Sequence, residues 1–118
     1  MPTTEFFRLT TDRSVNVIEL NLPDQIDSGA FDDLNEQMLG AVQGKSGGDW
    51  VLDLSGVRYM GSAMLGMVVN VRQQVKNIKG RLVLCNMSPR LFDIFRTSCM
   101  ERLFTISKTR AEAIKQLR

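Results

Sequence analysis

Several residues in the chain could carry chemistry, and the one whose setting is most particular is a serine. In "VRYMGSAMLG" (Val57 to Gly66), Ser62 stands between Gly61 and Ala63, after a strand-like run and before a helix-like one. A serine at such a junction is a good N-cap, its oxygen accepting from a backbone N–H two or three residues on, so Ser62 is expected to cap the helix it precedes. The same hydroxyl could instead be a nucleophile or a phosphoacceptor. The nucleophile elbow, GxSxG, fails because Met64 stands where its second glycine is required, and a triad is impossible in a chain with no histidine. The missing histidine also removes the commonest general acid and base.

Other candidates are weaker still. Asp24, Asp27, Asp32, Asp33 and Asp53 are spaced in no glycosidase or metal pattern and read as solvated groups. Asp32 and Asp33 are expected in the first turn of a helix, facing its dipole. Cys85 and Cys99 lack CxxC spacing, and Cys85, inside "RLVLCNM", reads as a small buried hydrophobe. No metal site, cofactor or catalytic residue is expected. "GAVQGKS" (Gly40 to Ser46) has three residues between its glycines where a phosphate-binding loop needs four, and it closes a helix instead of opening one. Met60, Met64 and Met67 surround Ser62 without sharing one helical face, so at least one is expected to be partly exposed.

The elements that hold these residues follow from periodicity. Glu5–Leu9 and Val15–Leu22 alternate like strands with "TTDRS" as the turn between them, so the chain opens with an antiparallel hairpin. Pro23 ends the second strand, and Phe31, Leu34, Met38 and Ala41 then recur at helical spacing as far as Gly40 to Gly44. Trp50–Val57 is a central strand, and a second helix runs from Ser62 to about Lys79 with Gly80 as its stop. Arg81–Met87 is a buried strand. Ser88 caps a short helix with Pro89 at its first position, Arg102–Ser107 is a last strand, and Thr109 caps a last helix with Glu112 at capping-box spacing. The result is an α/β domain with a mixed sheet of about five strands and four helices packed on it.

Composition bounds the possible roles. At 118 residues, with 43% hydrophobic and 24% charged, residues 1–118 are expected to form a single folded domain. Fifteen basic and 13 acidic residues are scattered to a net charge of +2, without the concentrated basic footprint that nucleic acid requires. No apolar stretch approaches the roughly 18 residues of a membrane span, and the first residues lack a secretory layout, so a cytoplasmic protein is expected.

Element order and local motifs together resemble the STAS domain, the family of bacterial anti-sigma-factor antagonists and related interaction modules. "VLDLSGVRYMGSAMLGMVV" resembles the family signature, a strand ending D-x-S-x-V followed by a serine that opens an amphipathic helix. "DQIDSGAFDDL" is similar to the segment leading into the family's first helix, "LVLCNMSPRLFDIF" to its fourth strand and third helix, and "CMERLFTISKTRAEAI" to its closing strand and helix. The resemblance covers nearly the whole chain.

It implies that Ser62 is a regulatory phosphoacceptor and that Asp27 takes the family's acidic position beside it. It also implies that the chain is a substrate, not an enzyme. The partners implied are an anti-sigma factor that is a serine kinase of the histidine-kinase-like ATPase fold, and a serine phosphatase. The expected interaction face is the first turn of the second helix with its adjoining loop: Asp27, Arg58, Gly61, Ser62, Ala63 and Met64. Gly61 replaces an acidic residue common in the family, and Met64 replaces its usual glycine, so a bulkier and more apolar rim is expected. The alternative within the family is a non-phosphorylated module serving as a structural subunit of a signalling scaffold or a lipid-transport complex.

Overall fold

A computed structural model describes residues 6–44 and 48–117. It begins with the hairpin: β1 (Phe7–Asp12) pairs antiparallel with β2 (Val15–Asn21). The turn is tighter than "TTDRS" suggested. Thr10, Thr11 and Asp12 stay in the ladder opposite Val17, Asn16 and Val15, and only Arg13 and Ser14 turn, at φ of 51° and 70°. Two consecutive left-handed residues match the twist of the flanking strands, which lets the ladder run to its end. Glu5 lies outside the described residues.

From β2 onward every strand is parallel and every crossover is helical: α1 (Ser28–Gln43), β3 (Asp49–Gly56), α2 (Ser62–Asn77), β4 (Arg81–Cys85), α3 (Pro89–Thr97), a 3-10 turn over Met100–Leu103, β5 (Thr105–Ser107) and α4 (Arg110–Leu117). The sheet order is β1-β2-β3-β4-β5. Because each crossover steps the same way along the sheet, right-handed connections put α1, α2 and α3 on one face. There, Ile18, Leu20, Trp50, Leu52, Leu54 and Leu84 from the strands pack with Leu34, Met38, Val68, Val71, Leu91 and Phe95 from the helices. The opposite face is closed by α4, whose Ala113, Ile114 and Leu117 cover Val15, Val17, Val51, Val83 and Cys85. Cover on both faces explains why the central strands read as nearly continuous apolar runs.

Several element ends differ from the periodicity reading, each for a local reason. Helix α1 starts at Ser28, with the Asp27 carboxylate accepting from the Ala30 N–H at 2.9 Å. Asp32 and Asp33 therefore fall beyond the first turn, and Asp27 meets the exposed N–H groups in their place. At the end of α2 the left-handed residue is Lys79 (φ 61°), not Gly80. Gly80 is needed for room, since a Cβ there would collide with the Gly48 carbonyl oxygen. Strand β4 stops at Cys85 because Asn86 turns left-handed, at φ 58°. Strand β5 starts only at Thr105: the Leu103 carbonyl is taken by Arg72 Nε at 2.6 Å, and Arg102 and Leu103 belong to the 3-10 turn. Ser88 and Thr109 cap their helices as expected, accepting from the N–H groups of Leu91 and Glu112 at 3.1 Å each.

Candidate functional site

The parallel strands deliver all four helix starts, at Ser28, Ser62, Pro89 and Arg110, to one end of the sheet. That is the end where open α/β sheets usually hold ligands. The loop from β3 to α2 is fixed at its root. Gly56 lies so close to β2 that a Cβ there would be 2.6 Å from the Leu20 carbonyl oxygen, and the pairing of β2 with β3 slips between Glu19 and Asn21 beside it. The Gly56 carbonyl accepts from the Leu22 N–H at 3.1 Å, and Val57 and Met60 are buried beneath the loop.

Ser62 is not the cap of α2. Gly61 is the last extended residue (φ −81°, ψ −179°), and its carbonyl accepts the first intrahelical bond from Leu65 at 3.0 Å, so Gly61 holds the N-cap position and offers no side chain to it. Ser62 is thereby the first helical residue. It is exposed, and its hydroxyl has no hydrogen-bond partner among the described residues. Ala63 beside it is exposed as well.

The three methionines are all buried: Met60 is 2% exposed, Met64 7% and Met67 1%. The expectation of a partly exposed methionine, and of an apolar rim made by Met64, is corrected accordingly; Met64 packs into the core below Ser62 instead of facing outward. The apolar rim comes from Tyr59, 40% exposed, whose ring edge and hydroxyl lie 3.9 Å from where a Cβ on Gly61 would stand. The guanidinium carbon of Arg90, in the first turn of α3, sits 5.6 Å from the centre of that ring. The sequence reading missed both residues. Tyr59 is the sole tyrosine and lies three positions before the singled-out serine, and Arg90 puts a cation where the helix dipole disfavours one.

Of the other expected face residues, Arg58 reaches across to Asp24, Nη2 to Oδ2 at 3.0 Å, joining the loop before α2 to the loop before α1. Both partners are well exposed, and such a pair contributes about 0–1 kcal/mol. Asp27 lies at the same end of the sheet with its carboxylate engaged in the α1 cap. The structure thus brings Arg58, Tyr59, Gly61, Ser62 and Ala63 into one surface, with Arg90 added from α3.

Asp53 does not match its reading as a solvated group, being 2% exposed. One of its oxygens accepts from the Ser55 N–H at 3.0 Å and from Asn86 Nδ2 at 3.1 Å; the other accepts from Arg110 Nε at 3.0 Å and Nη2 at 2.8 Å. Arg110 also meets Glu19 at 3.1 Å. Burial works to raise the Asp53 carboxyl, but the Ser55 N–H, Arg110 and Asn86 together outweigh it and hold the group below the usual carboxylate range. An ionised carboxylate with both oxygens bonded is a structural tie between β3 and α4, not an acid or base. The neighbouring Cys85 thiol is pushed up to about 12, first by burial and then by the charge of Asp53, so it stays protonated. Cys99 is exposed. Among the described residues no group of three Cys, Asp or Glu side chains could hold a metal ion, and no helix is long and apolar enough to cross a membrane.

A mixed five-stranded sheet opening with a hairpin, with three crossover helices on one face and a helix on the other, is an α/β fold of the STAS type. A family model for the STAS domain matches residues 8–113, and the chain belongs to that family. It is 28% identical over 106 residues to BtrV of Bordetella bronchiseptica, a protein assigned as an anti-sigma factor antagonist, with 90% of each chain covered. The fold is that of a STAS domain protein from Planctomyces limnophilus (TM-score 0.81, 23% identity, 94% of this chain and 97% of that one). It is also that of the Bacillus anti-sigma factor antagonist SpoIIAA in its unphosphorylated form (TM-score 0.74, 23% identity, 95% and 96% covered).

Proposed function

We propose that this protein is an anti-sigma factor antagonist in a partner-switching circuit, with Ser62 as its phosphoacceptor. The observation that carries the reading is the uncommitted hydroxyl of Ser62, exposed on the first turn of α2 because Gly61 has taken the cap position. The family membership and the likeness to BtrV support the choice of partner. In its unphosphorylated form the chain binds an anti-sigma factor that is also a serine kinase of the histidine-kinase-like ATPase fold, and so releases a sigma factor in the cytoplasm. The binding face is Arg58, Tyr59, Gly61, Ser62 and Ala63, with Asp27 at its border and Met64 supporting it from below.

The chain is then a substrate, not an enzyme. Ser62 Oγ attacks the γ-phosphorus of ATP held by the kinase; the new O–P bond forms as the bond to the bridging oxygen breaks, ADP leaves, and the hydroxyl proton passes to a base on the kinase. The phosphate adds about −1.5 to −2 charges. The fold tolerates them, since the first N–H groups of α2 face that position, whereas a desolvated interface does not. A serine phosphatase resets the switch.

The test is binding of the full chain to its cognate anti-sigma kinase. Ser62→Asp is expected to weaken the complex at least tenfold, while Ser62→Ala binds like wild type and can no longer be phosphorylated. Gly61, which leaves no carboxylate next to the serine, favours a second reading, a structural subunit of a signalling scaffold or lipid-transport complex. That reading predicts a complex of equal affinity for all three proteins.

A further inference from the structure

We propose that Arg90 is the intramolecular receptor for the phosphate on Ser62, released from the face of Tyr59 when the phosphate arrives; this rests on the reading of Ser62 as a phosphoacceptor. Two observations place Arg90 beside the loop that carries the serine. Its guanidinium lies 5.6 Å from the Tyr59 ring centre, and the edge of the same ring is 3.9 Å from the Cβ position of Gly61, the residue preceding Ser62. Around the position a Cβ on Gly61 would take, that ring is the nearest group outside the adjoining residues.

Several of the other charges at this end have partners, while Lys108, between β5 and α4, forms no ion pair among the described residues. Arg58 faces Asp24 at 3.0 Å in an exposed pair, Asp27 accepts from the Ala30 N–H at 2.9 Å, and Arg110 is held by Asp53 and Glu19. On α3 itself, Asp93 is paired with Arg96 at 2.9 Å. Arg90 has no carboxylate partner among the described residues, and it occupies a first helical turn, where a cation is disfavoured and Ser88 already supplies the cap. Its presence there is not explained by the stability of α3.

The cation therefore has two alternative positions. Over an exposed tyrosine ring it is weakly held, while a phosphate offers the planar guanidinium a pair of charge-assisted bonds, which are the stronger kind. Phosphorylation would then change the partner surface twice. It adds an anion, part of which is neutralised from within, and it uncovers the Tyr59 face. Gly61 places no carboxylate beside the serine that would compete for the arginine.

The experiment uses the full chain with phosphoserine installed at position 62 during translation, so that it needs no kinase and its outcome is separate from whether Ser62 is phosphorylated in cells. The second ionisation of the phosphate is followed by phosphorus NMR against pH. In the wild-type background it is expected to lie at least about half a pH unit below the value near 6 of an exposed phosphoserine. Arg90→Gln should return most of that shift, Arg90→Lys only part of it, and Arg58→Gln none. Because Arg90 is exposed, unchanged thermal unfolding of the unphosphorylated variants serves as the folding control. A phosphate that titrates alike in the wild-type and Arg90→Gln backgrounds, or that responds equally to Arg58→Gln, overturns the proposal.

Discussion

Asp53 and Ser62 are carried by the same run of chain, one on β3 and the other just past its end, and they are treated in opposite ways. Both oxygens of Asp53 are bonded, its main cation is shared with Glu19, and the residue is closed off from water. Ser62 is exposed, its hydroxyl has no hydrogen-bond partner among the described residues, and Tyr59 and Arg90 on the same face are in contact with each other. A buried polar group left unbonded costs about 1–3 kcal/mol, so evolution of a stable fold drives the first arrangement. An exposed hydroxyl that caps nothing contributes little to stability, which leaves it free for use by a partner. The polar residue that the fold can do without is thus the better candidate for function.

Breaking the committed side should have the largest effect. Asp53→Ala leaves the half-buried Arg110 facing an empty, buried position and unties α4 from β3; a loss of about 3 kcal/mol in urea unfolding is expected. A loss below about 1 kcal/mol would mean that Glu19 suffices to hold Arg110.

The same carboxylate sets a pH dependence. Its folded-state pKa is depressed below the unfolded value of about 3.9, so the unfolded chain binds more protons in that window and stability rises with pH. The contribution is fully present above about pH 5 and is lost as pH falls through the folded-state value. Unfolding free energies measured from pH 7 to pH 2 should therefore converge for wild type and Asp53→Asn at the acid end; parallel curves would remove Asp53 from the account.

The smallest effects sharpen the comparison between two serines at strand-to-helix junctions. Ser88 is spent on the Leu91 N–H, and Ser88→Ala should cost about 1 kcal/mol. Ser62→Ala should change stability by less than about 0.5 kcal/mol, as surface substitutions do. Equal losses from the two substitutions, read from denaturant midpoints, would show that Ser62 is a structural cap after all.

The parts of this molecule that were legible in the sequence are those decided locally. Apolar runs bounded by glycine and proline gave the parallel strands, and Ser88-Pro89 and Thr109 marked two helix starts at the right residue. What the sequence concealed depends on positions settled by the rest of the fold. Whether Ser62 or Gly61 caps α2 turns on which is the last extended residue, and serine propensity pointed to the wrong one. Asp53 shares the strand alternation of Val51, which faces α4, but its guanidinium partner lies 57 residues along the chain and no spacing rule connects them. Tyr59 and Arg90 meet only because the loops following β3 and β4 end side by side. The face around Ser62 was legible as a location, and the groups that give it its charge and its aromatic rim were not.

The fixed root of the loop at Gly56 bears on how fast a partner can be captured. Val57 to Gly61 is a short span anchored at one end by the close approach of Gly56 to Leu20, at the other by the first turn of α2, and from below by Val57 and Met60. A surface held at so many points arrives at an encounter already shaped, with little ordering left to do after contact. Association should then run at the rates of about 10⁵–10⁷ M⁻¹s⁻¹ usual for rigid docking, and a modification at Ser62 should register mainly in how long the complex lasts.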